Sequence, residues 1–271
     1  MHASDRVFTG SIPRLYETHL VPLIFAPYAA DLAARVAARS PERVLEIAAG
    51  TGAVTRALDQ RLPAHVRIVA TDLNQAMLDE AARIGTTRDV EWRAADALAL
   101  PFDDATFDVV ACQFGAMFFA DRARAYSEMR RVLRPGGTLL FNVWDRLGTN
   151  DFARVVTDAL AERYPAAPPA FLARTPHGYS DPAVIAADLR GGGFAAAPAT
   201  TTVRARSRAA RAFDVAFAYC QGTPLRNEIE AVDPGHVDDA TAWATRAMVA
   251  EYGEGPVDGA IQAHVVTIAR D

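Results

Sequence analysis

One stretch constrains the fold more than any other: Val44-Leu45-Glu46-Ile47-Ala48-Ala49-Gly50-Thr51-Gly52. It is a short apolar run that passes into a glycine-rich turn, and the pattern of residues 53–61 predicts a helix directly behind it. A strand, a glycine turn and a helix form the first unit of an open α/β sheet. Glycine lets a ligand approach bare backbone, and the helix start offers unpaired N–H groups. The stretch therefore predicts a ligand-binding turn at the carboxyl end of the first strand.

Three kinds of turn are compared with this stretch. A phosphate-binding P-loop ends in Gly-Lys-Ser/Thr, and the sequence has no such ending. A dinucleotide turn has the pattern Gly-x-Gly-x-x-Gly, but the matching positions here are Ala48, Gly50 and Ala53, so the first glycine is missing. A third pattern, acid-x-small-x-Gly-x-Gly, is matched by Glu46, Ala48, Gly50 and Gly52, with alanine in the first glycine position.

Further strands and helices alternate along the next hundred residues. Strands are predicted over 43–48, 67–72, 89–94, 109–115 and 138–144, and helices over 74–84 and 122–133, the latter stopped by the residues at 134–137. This alternation predicts a doubly wound, mostly parallel sheet. Asp72 ends the second strand, 20 residues after Gly52, where an acid can accept hydrogen bonds from both hydroxyls of an adenosine ribose. Asp96 follows the third strand, where an adenine amino group would need an acceptor.

Composition excludes several other classes of protein. The chain has 271 residues, 51% of them apolar, and a net charge of −5, without the basic surface that nucleic-acid binding requires. Its six histidines and two cysteines show no metal-ligand spacing, and no Gly-x-Ser-x-Gly motif is present. We expect no signal peptide and no membrane span, since the apolar run 20–30 is interrupted by Pro22 and Pro27. The predicted location is the cytoplasm.

Six short blocks carry a resemblance to a known family. They are Glu46–Gly52, Thr71-Asp72-Leu73-Asn74, Ala95-Asp96-Ala97, Leu100-Pro101-Phe102-Asp103, Phe107-Asp108-Val109-Val110 and Leu133-Arg134-Pro135-Gly136-Gly137. In this order and spacing they resemble class I S-adenosylmethionine (SAM)-dependent methyltransferases, within the group similar to enzymes of ubiquinone and menaquinone biosynthesis. Such a fold has seven strands, of which the last is antiparallel.

The resemblance implies a cofactor, SAM, with S-adenosylhomocysteine as its product, and a role for each matching residue. Glu46 and the backbone of Ala48, Ala49, Gly50 and Gly52 would hold the methionine part. Asp72 would bind the ribose hydroxyls, with Leu73 and Met77 against the adenine. Asp96 and Ala97 would meet the adenine edge, and Gln113 would lie near the sulfonium. Alanine at position 48 would narrow the space beside the cofactor.

Residues outside the blocks are assigned to the methyl acceptor and to the domain plan. The expected acceptor is a small molecule, in an apolar pocket lined by candidates Tyr16, Phe25, Tyr28, Phe114, Met117 and Trp144. The candidates for a general base are His19, His177 and Tyr179. We predict an N-terminal helical lid over 1–40, broken near Pro22 and Pro27, an α/β domain over 41–208 and 260–271, and a helical cap over 209–259.

Two rival functions stay open from the sequence. A nicotinamide oxidoreductase would also use an acid at position 72, but the usual Tyr/Lys chemistry is excluded because all 28 basic residues are arginine. A SAM-binding protein without turnover would bind the cofactor and methylate nothing. The acceptor atom, whether O, C or N, and the choice between monomer and homodimer are not determined by the sequence. Nucleic-acid and membrane partners are not expected.

Overall fold

The computed structural model describes Phe8 and residues 10–271. The first helix of the described residues begins at Ile12. Contacts divide the chain into two compact units. One comprises the described residues through Phe25, with Asp145–Gly178 and Arg204–Gln262, and the other comprises Ala26–Trp144, Tyr179–Val203 and Ala263–Asp271. The predicted division into lid, α/β domain and cap stays a prediction.

A seven-stranded sheet organises the fold. Its strands are β1 (Arg43–Ile47), β2 (Arg67–Asp72), β3 (Glu91–Ala94), β4 (Phe107–Gln113), β5 (Leu133–Trp144), β6 (Ala199–Ala209) and β7 (Val257–Ala269). They lie in the order β3-β2-β1-β4-β5-β7-β6. The pairs among β1 to β5 are parallel, and β7 pairs antiparallel with β5. The predicted fold class is confirmed.

Helices precede β1 and connect β1 to β2, β2 to β3 and β4 to β5, whereas β3 and β4 are joined by a loop without a helix. The helices are α1 (Ile12–Leu15), a π-helix (Tyr16–Phe25), α2 (Ala26–Ala37), α3 (Ala53–Arg61), α4 (Gln75–Ile84), α5 (Arg122–Val132), α6 (Asp151–Arg163), α7 (Phe171–Arg174), α8 (Pro182–Gly191), α9 (Ala212–Gln221), α10 (Leu225–Val232) and α11 (Val237–Tyr252). Short 3₁₀ turns lie at Ala116–Phe118 and Leu147–Thr149. Leu32 and Val36 of α2 pack with Val54 and Leu58 of α3 in one apolar cluster that also contains Val44 of β1. Burial of both faces explains why β1 reads as a continuous apolar run.

Strand register brings the carboxyl ends of β1, β2 and β3 to one edge of the sheet. Ile47 lies opposite Thr71, and Asp72 lies opposite Ala94. The Ala95 N–H then donates to the Asp72 carbonyl at 3.0 Å, which extends the pairing towards Asp96. Residues that follow these strands therefore collect at the edge where open α/β sheets bind their ligands.

Two local predictions were wrong. The first was that the N-terminal helix is broken near Pro22 and Pro27, whereas the structure has continuous helix over Ile12–Ala37. Among the described residues, one helix, Ile12–Ala37, is long and apolar enough to span a membrane by length and composition, although half of its most apolar window is buried. Pro22 lies inside the π-helix and does not end it. Pro27 is tolerated at the second position of α2. A buried core helix passes the same test, so the finding is weak evidence for a membrane.

The second wrong prediction concerns the start of the fifth strand, which was expected at residue 138, after a helix stop at 134–137. The helix ends at Val132, and β5 already begins at Leu133 and continues through both glycines. The Gly136 N–H donates to the Arg270 carbonyl at 2.8 Å, and the Arg270 N–H donates to the Gly137 carbonyl at 2.8 Å. Pairing with the chain beyond β7 thus extends the strand, because tertiary hydrogen bonds override a local turn preference.

Candidate functional site

The turn after β1 has three residues in the left-handed region of the backbone. They are Ala48 (φ 55°), Gly50 (φ 56°) and Gly52 (φ 84°). A side chain at Gly52 would also meet the Trp92 ring, since an ideal Cβ there lies 2.9 Å from the nearest ring carbon. Gly52 is the N-cap of α3, so the first N–H groups of that helix face the turn. The predicted strand-turn-helix unit is therefore present, and the binding of a ligand at it stays a prediction.

Ala48 adopts a conformation that suits the glycine found in this position of the family pattern. The left-handed region costs a residue with a Cβ roughly 1–2 kcal/mol. An ideal Cβ built on Gly115 would lie 2.5 Å from the Ala48 Cβ, so the alanine methyl occupies the space that a side chain at position 115 would need. Alanine at position 48, where the family pattern has glycine, is thus accommodated because Gly115 after β4 has no side chain. The sequence did not identify this role of Gly115.

Asp72 joins the end of β2 to the glycine turn. Its Oδ2 accepts a hydrogen bond from the Gly50 N–H at 2.8 Å, and its Oδ1 accepts one from the Asn74 N–H at 2.8 Å. The side chain is buried, and this burial raises the pKa of the carboxyl although the backbone donors oppose the shift. Oδ1 also accepts a long hydrogen bond from the Asn74 side-chain Nδ2 at 3.5 Å, whereas Oδ2 keeps a second lone pair for a further donor.

Glu46 is the other buried acid of the turn, at 1% exposure. Its Oε2 accepts a hydrogen bond from the Thr55 hydroxyl of α3 at 2.6 Å. Burial raises the pKa of Glu46 to about 8, with a further contribution from the negative charge of Asp72. The hydrogen bond from Thr55 and the positive charge of Arg56 oppose this rise of the pKa, and a cation brought by a ligand would oppose it further. Thr55 supports Glu46 through this hydrogen bond. The sequence gave no signal for this role, because Thr55 is a single threonine within a predicted helix.

Thr51 supplies a third polar group in the same turn. The residue is 1% exposed, and its Oγ1 is buried without a hydrogen-bond partner among the residues that the structure describes. Buried hydroxyl groups are normally hydrogen-bonded, because an unmade bond costs about 1–3 kcal/mol. The orphaned hydroxyl therefore indicates a polar ligand at the turn.

The residues predicted for the adenine differ in exposure. Leu73 follows Asp72 with 49% of its surface exposed, which is unusual for a large apolar side chain. Met77 is buried, and its Cε would lie 3.5 Å from a Cβ placed on Gly50. Asp96 is exposed, and its Oδ1 accepts a hydrogen bond from the Leu98 N–H at 2.9 Å, while Ala97 is buried.

The exit of β4 is fixed by an asparagine that the sequence did not single out. Asn142 of β5 is fully buried, and its Oδ1 accepts a hydrogen bond from the Phe114 N–H at 2.9 Å. Its Nδ2 donates to the Gln113 Oε1 at 3.3 Å, which holds the side chain predicted to lie near the sulfonium. The only sequence signal was a polar residue in an otherwise apolar strand, and that signal is weak by itself.

Three of the residues predicted for the acceptor pocket form one aromatic cluster. The rings of Phe114 and Trp144 stack with centroids 3.9 Å apart, and Tyr28 meets each of them edge-on at 5.3 Å. Met117 is buried in the 3₁₀ turn that follows. Tyr16 and Phe25 belong to the other compact unit, where their rings stack at 4.9 Å.

The three candidate bases lie in different surroundings. The His19 ring meets Phe217 edge-on at 5.1 Å. The His177 Nδ1 is 2.8 Å from the Asp145 carbonyl, and burial lowers the pKa of the ring to about 4. The Tyr179 hydroxyl donates to Asp188 at 2.9 Å, and burial raises its pKa far above the ordinary value, so it keeps its proton. A base role for any of the three stays a prediction.

Two further features lie away from the glycine turn. A groove of about 630 Å³, lined by Arg43, His65, Arg67 and neighbouring residues, opens at the amino ends of β1 to β3, so it is at the opposite edge of the sheet. Within the described part of the chain, no group of three or more His, Cys, Asp or Glu side chains is placed to hold a metal ion. The described arginines at 204, 206 and 208 are hydrogen-bonded to Gln262 or Asp258.

Comparison with known proteins agrees with this geometry. The family described as "Methyltransferase domain" matches residues 45–141. A demethylmenaquinone methyltransferase of Deinococcus radiodurans is 44% identical over 110 residues, which are 40% of this chain and 45% of the relative. The ubiquinone/menaquinone biosynthesis C-methyltransferase UbiE of Idiomarina loihiensis is 42% identical over 102 residues, 36% of this chain and 41% of the relative. The chain thus spans less than half the length of these two curated relatives.

The likeness in fold extends further than the likeness in sequence. The crystal structure of the YcgJ protein from Bacillus subtilis superposes with a TM-score of 0.55 over 90% of this chain and 98% of that one, at 17% identity. At that identity the superposition establishes the fold alone. The matched residues 45–141 contain all six blocks on which the predicted resemblance was based. Residues 45–141 therefore form a methyltransferase domain that is similar in sequence to curated methyltransferases of ubiquinone and menaquinone biosynthesis.

Proposed function

We propose that this protein transfers a methyl group from SAM to an O, C or N atom of a small-molecule acceptor. The observation that carries the proposal is the pair of buried carboxylates, Glu46 and Asp72, at the glycine turn of the matched domain. The curated relatives are matched over less than half of their length, so the activity of the whole chain is inferred from the domain and its site.

The residues of the turn fit the parts of SAM. Glu46 offers a buried carboxyl to the ammonium group of the methionine part, whose positive charge would favour the ionised form, and the Thr51 hydroxyl offers a hydrogen bond that is otherwise unmade among the described residues. Asp72 Oδ2 has a lone pair available for a ribose hydroxyl, and the exposed Leu73 offers an apolar surface for the adenine. When bound, SAM supplies a methyl group activated by a positive sulfonium. The chain's own work is then to orient the two reactants and to exclude water.

The acceptor is proposed to be apolar or aromatic. Phe114, Met117 and Trp144 follow the ends of β4 and β5, at the edge where ligands of open α/β sheets bind, and Tyr28 packs on the two rings. Tyr16 and Phe25 are further candidates. Two relatives are named for menaquinone or ubiquinone biosynthesis, whose acceptors carry a ring, which supports an aromatic acceptor here. We further propose in-line transfer in a closed cleft, a cytoplasmic protein and a monomer or homodimer.

Calorimetry tests the cofactor assignment. Wild-type protein is titrated with SAM, with S-adenosylhomocysteine and with NAD(H), and the titrations are repeated with Asp72→Ala. Hydrogen bonds to a charged group contribute about 1.5–3 kcal/mol, so Asp72→Ala should bind SAM roughly 10–100-fold more weakly. Asp158→Ala is the matched control, because this carboxylate is exposed on α6. Folded protein that binds NAD(H) but not SAM, or an affinity unchanged in Asp72→Ala, would overturn the assignment.

A second experiment separates an enzyme from a protein that only binds the cofactor. Apolar and aromatic acceptors are incubated with SAM, and formation of S-adenosylhomocysteine is measured together with the methylated product. Turnover with any acceptor supports the proposed function, and its loss in Asp72→Ala ties the activity to this site. SAM binding without turnover across O, C and N acceptors would instead support the non-enzymatic alternative.

A further inference from the structure

The loop after β3, residues 96–104, is held in place by side chains of α5. Arg124 Nε donates to the Leu98 carbonyl at 3.0 Å. Glu128 Oε2 accepts a hydrogen bond from the Leu100 N–H at 2.9 Å. Arg131 donates to the Leu100 carbonyl at 2.8 Å and to the Phe102 carbonyl at 2.7 Å. We call Arg124, Glu128 and Arg131 the α5 clamp.

The α5 clamp is internally rigid. Arg131 Nε and Nη2 donate to the two oxygens of Glu128 at 2.9 and 2.8 Å, which is a bidentate pair. Glu128 is 5% exposed, and the neighbouring guanidinium of Arg131 lowers its pKa. Only an arginine has the planar set of donors that can bond one carboxylate and two carbonyls together. The clamp therefore depends on the identity of Arg131 as well as on its charge.

The clamped segment continues directly into the residues proposed to read the adenine. The Asp96 carboxylate accepts from the Leu98 N–H, and the Ala99 N–H donates to the Asp96 carbonyl at 3.0 Å. Asp96, Leu98 and Ala99 thus form one compact turn. The α5 clamp holds this turn at the Leu98 carbonyl and, one residue after the turn, at the N–H and the carbonyl of Leu100. A displacement of the loop would move the carboxylate of Asp96 with it.

We propose that the α5 clamp positions Asp96 and Ala97 and thereby sets the selectivity of the site for a purine that carries a 6-amino group. This inference rests on the proposed function, because it takes SAM as the ligand. The 6-amino group is a hydrogen-bond donor, and an exposed carboxylate discriminates such a donor from an acceptor only when its own position is fixed. Arg124, Glu128 and Arg131 are positioning residues that act through the loop.

The test compares two ligands that differ at one position of the purine. S-inosylhomocysteine has a carbonyl oxygen where S-adenosylhomocysteine has the 6-amino group. A charge-assisted hydrogen bond contributes about 1.5–3 kcal/mol, so wild-type protein should bind S-adenosylhomocysteine roughly 10–100-fold more tightly. In Arg131→Lys the clamp loses the planar guanidinium that bonds Glu128 and the two carbonyls. The ratio of the two dissociation constants should therefore fall ~3–10-fold.

Two further variants make the result decisive. Arg130→Lys is the matched control, because this arginine of α5 contacts Asp271 and should leave the ratio unchanged. Arg124→Met removes the bond to Leu98 from an arginine side chain that is 55% exposed, so it keeps the test available if Arg131→Lys does not fold. A loss of thermal stability by itself does not move the ratio, so the ratio separates positioning from a merely structural role.

Each remaining outcome bears on a different claim. If both clamp variants keep the wild-type ratio, the inference is overturned and the proposed function stands. If wild-type protein binds the two ligands equally, Asp96 does not read the amino group, and the inference is again overturned. If wild-type protein binds neither ligand, the proposed function fails and the inference fails with it.

Discussion

The methyl group of Ala48 lies where a side chain on Gly115 would have to go. An ideal Cβ on Gly115 would be 2.5 Å from the Ala48 Cβ and 2.7 Å from the Cys112 sulfur. The two residues follow β1 and β4, which are hydrogen-bonded neighbours in the sheet. Alanine in the first glycine position of the turn is therefore compatible with this fold because position 115 has no side chain.

This contact predicts a coupled pair of substitutions. Gly115→Ala should lower the free energy of unfolding by about 1–3 kcal/mol, because overpacking forces the two strand ends apart. Ala48→Gly should recover part of that loss in the double variant, with the Cys112 contact keeping the rescue incomplete. Denaturant unfolding is measured for the wild type, Gly115→Ala, Ala48→Gly and the double variant. The interaction energy between the two positions should be about 1 kcal/mol or more.

The control for this cycle is Gly148→Ala, because a Cβ at position 148 would meet no heavy atom within 4 Å. We expect a change below about 0.5 kcal/mol there. Strictly additive effects of the substitutions at 48 and 115 would contradict the proposed steric coupling.

The raised pKa of Glu46 predicts a dependence of stability on pH. The pKa is about 8 in the folded protein and 4.5 ordinarily, so between these values the folded state keeps a proton that the unfolded state has lost. The contribution of Glu46 to stability is therefore complete below about pH 4.5 and is lost as the pH rises through 8. The free energy of unfolding of ligand-free wild type relative to Glu46→Gln should fall by on the order of a few kcal/mol from pH 5 to 8.

Chemical unfolding at four pH values across that window provides the measurement. Glu91→Gln serves as control, since the Glu91 side chain is 57% exposed on β3. Parallel stability curves for wild type and Glu46→Gln would show that the carboxyl of Glu46 titrates near its ordinary value.

His177 should stay neutral far below the pH at which histidines usually take up a proton. Its Nδ1 faces the Asp145 carbonyl, which only accepts, so the neutral ring carries its proton on Nδ1. Burial lowers the pKa from the ordinary 6.5 to about 4, so the unfolded state binds the proton first on acidification. Stability from this residue should be intact above pH 6.5 and lost as the pH falls towards 4.

Histidine ring NMR across pH 4–8 checks this directly, and the signal of His177 should not shift above about pH 5. The spectrum of His65→Gln identifies the NMR signal of His65, which is exposed and serves as the reference histidine. A midpoint for His177 near 6.5 would disprove the effect of burial and return this ring to the ordinary candidates for a general base.

The aromatic cluster of Tyr28, Phe114 and Trp144 should respond very unequally to two substitutions. Phe114→Ala removes a buried ring that stacks on Trp144, and such losses cost about 3–5 kcal/mol. Tyr28→Phe removes only a hydroxyl whose hydrogen bond to the Val203 carbonyl is long, at 3.4 Å, so it should cost under about 1 kcal/mol. Thermal unfolding of both variants provides the test, and equal losses would argue against the stacking geometry.

Much of the fold was predictable because its signals are local. Apolar runs, the glycine turn and the alternation of strands with helices predicted β1 to β5, and the position of Asp72 at the end of β2 followed from its distance to Gly52. The acids at positions 72 and 96 could be placed at one edge because parallel strands present their carboxyl ends together. Local patterns misled at Pro22 and over 134–137, where a π-helix and pairing with the chain beyond β7 changed the outcome.

By itself, then, the sequence determined the class of the domain, the positions of its first five strands along the chain and the residue types at the turn. Only the tertiary structure decided what those residues do physically: the pKa of Glu46, the partner of Ala48, the role of Asn142 and the α5 clamp on residues 96–104. The reason is that strands and turns are encoded by neighbours along the chain. Burial, charge and steric fit instead arise between residues that are far apart in sequence and meet only in the folded protein.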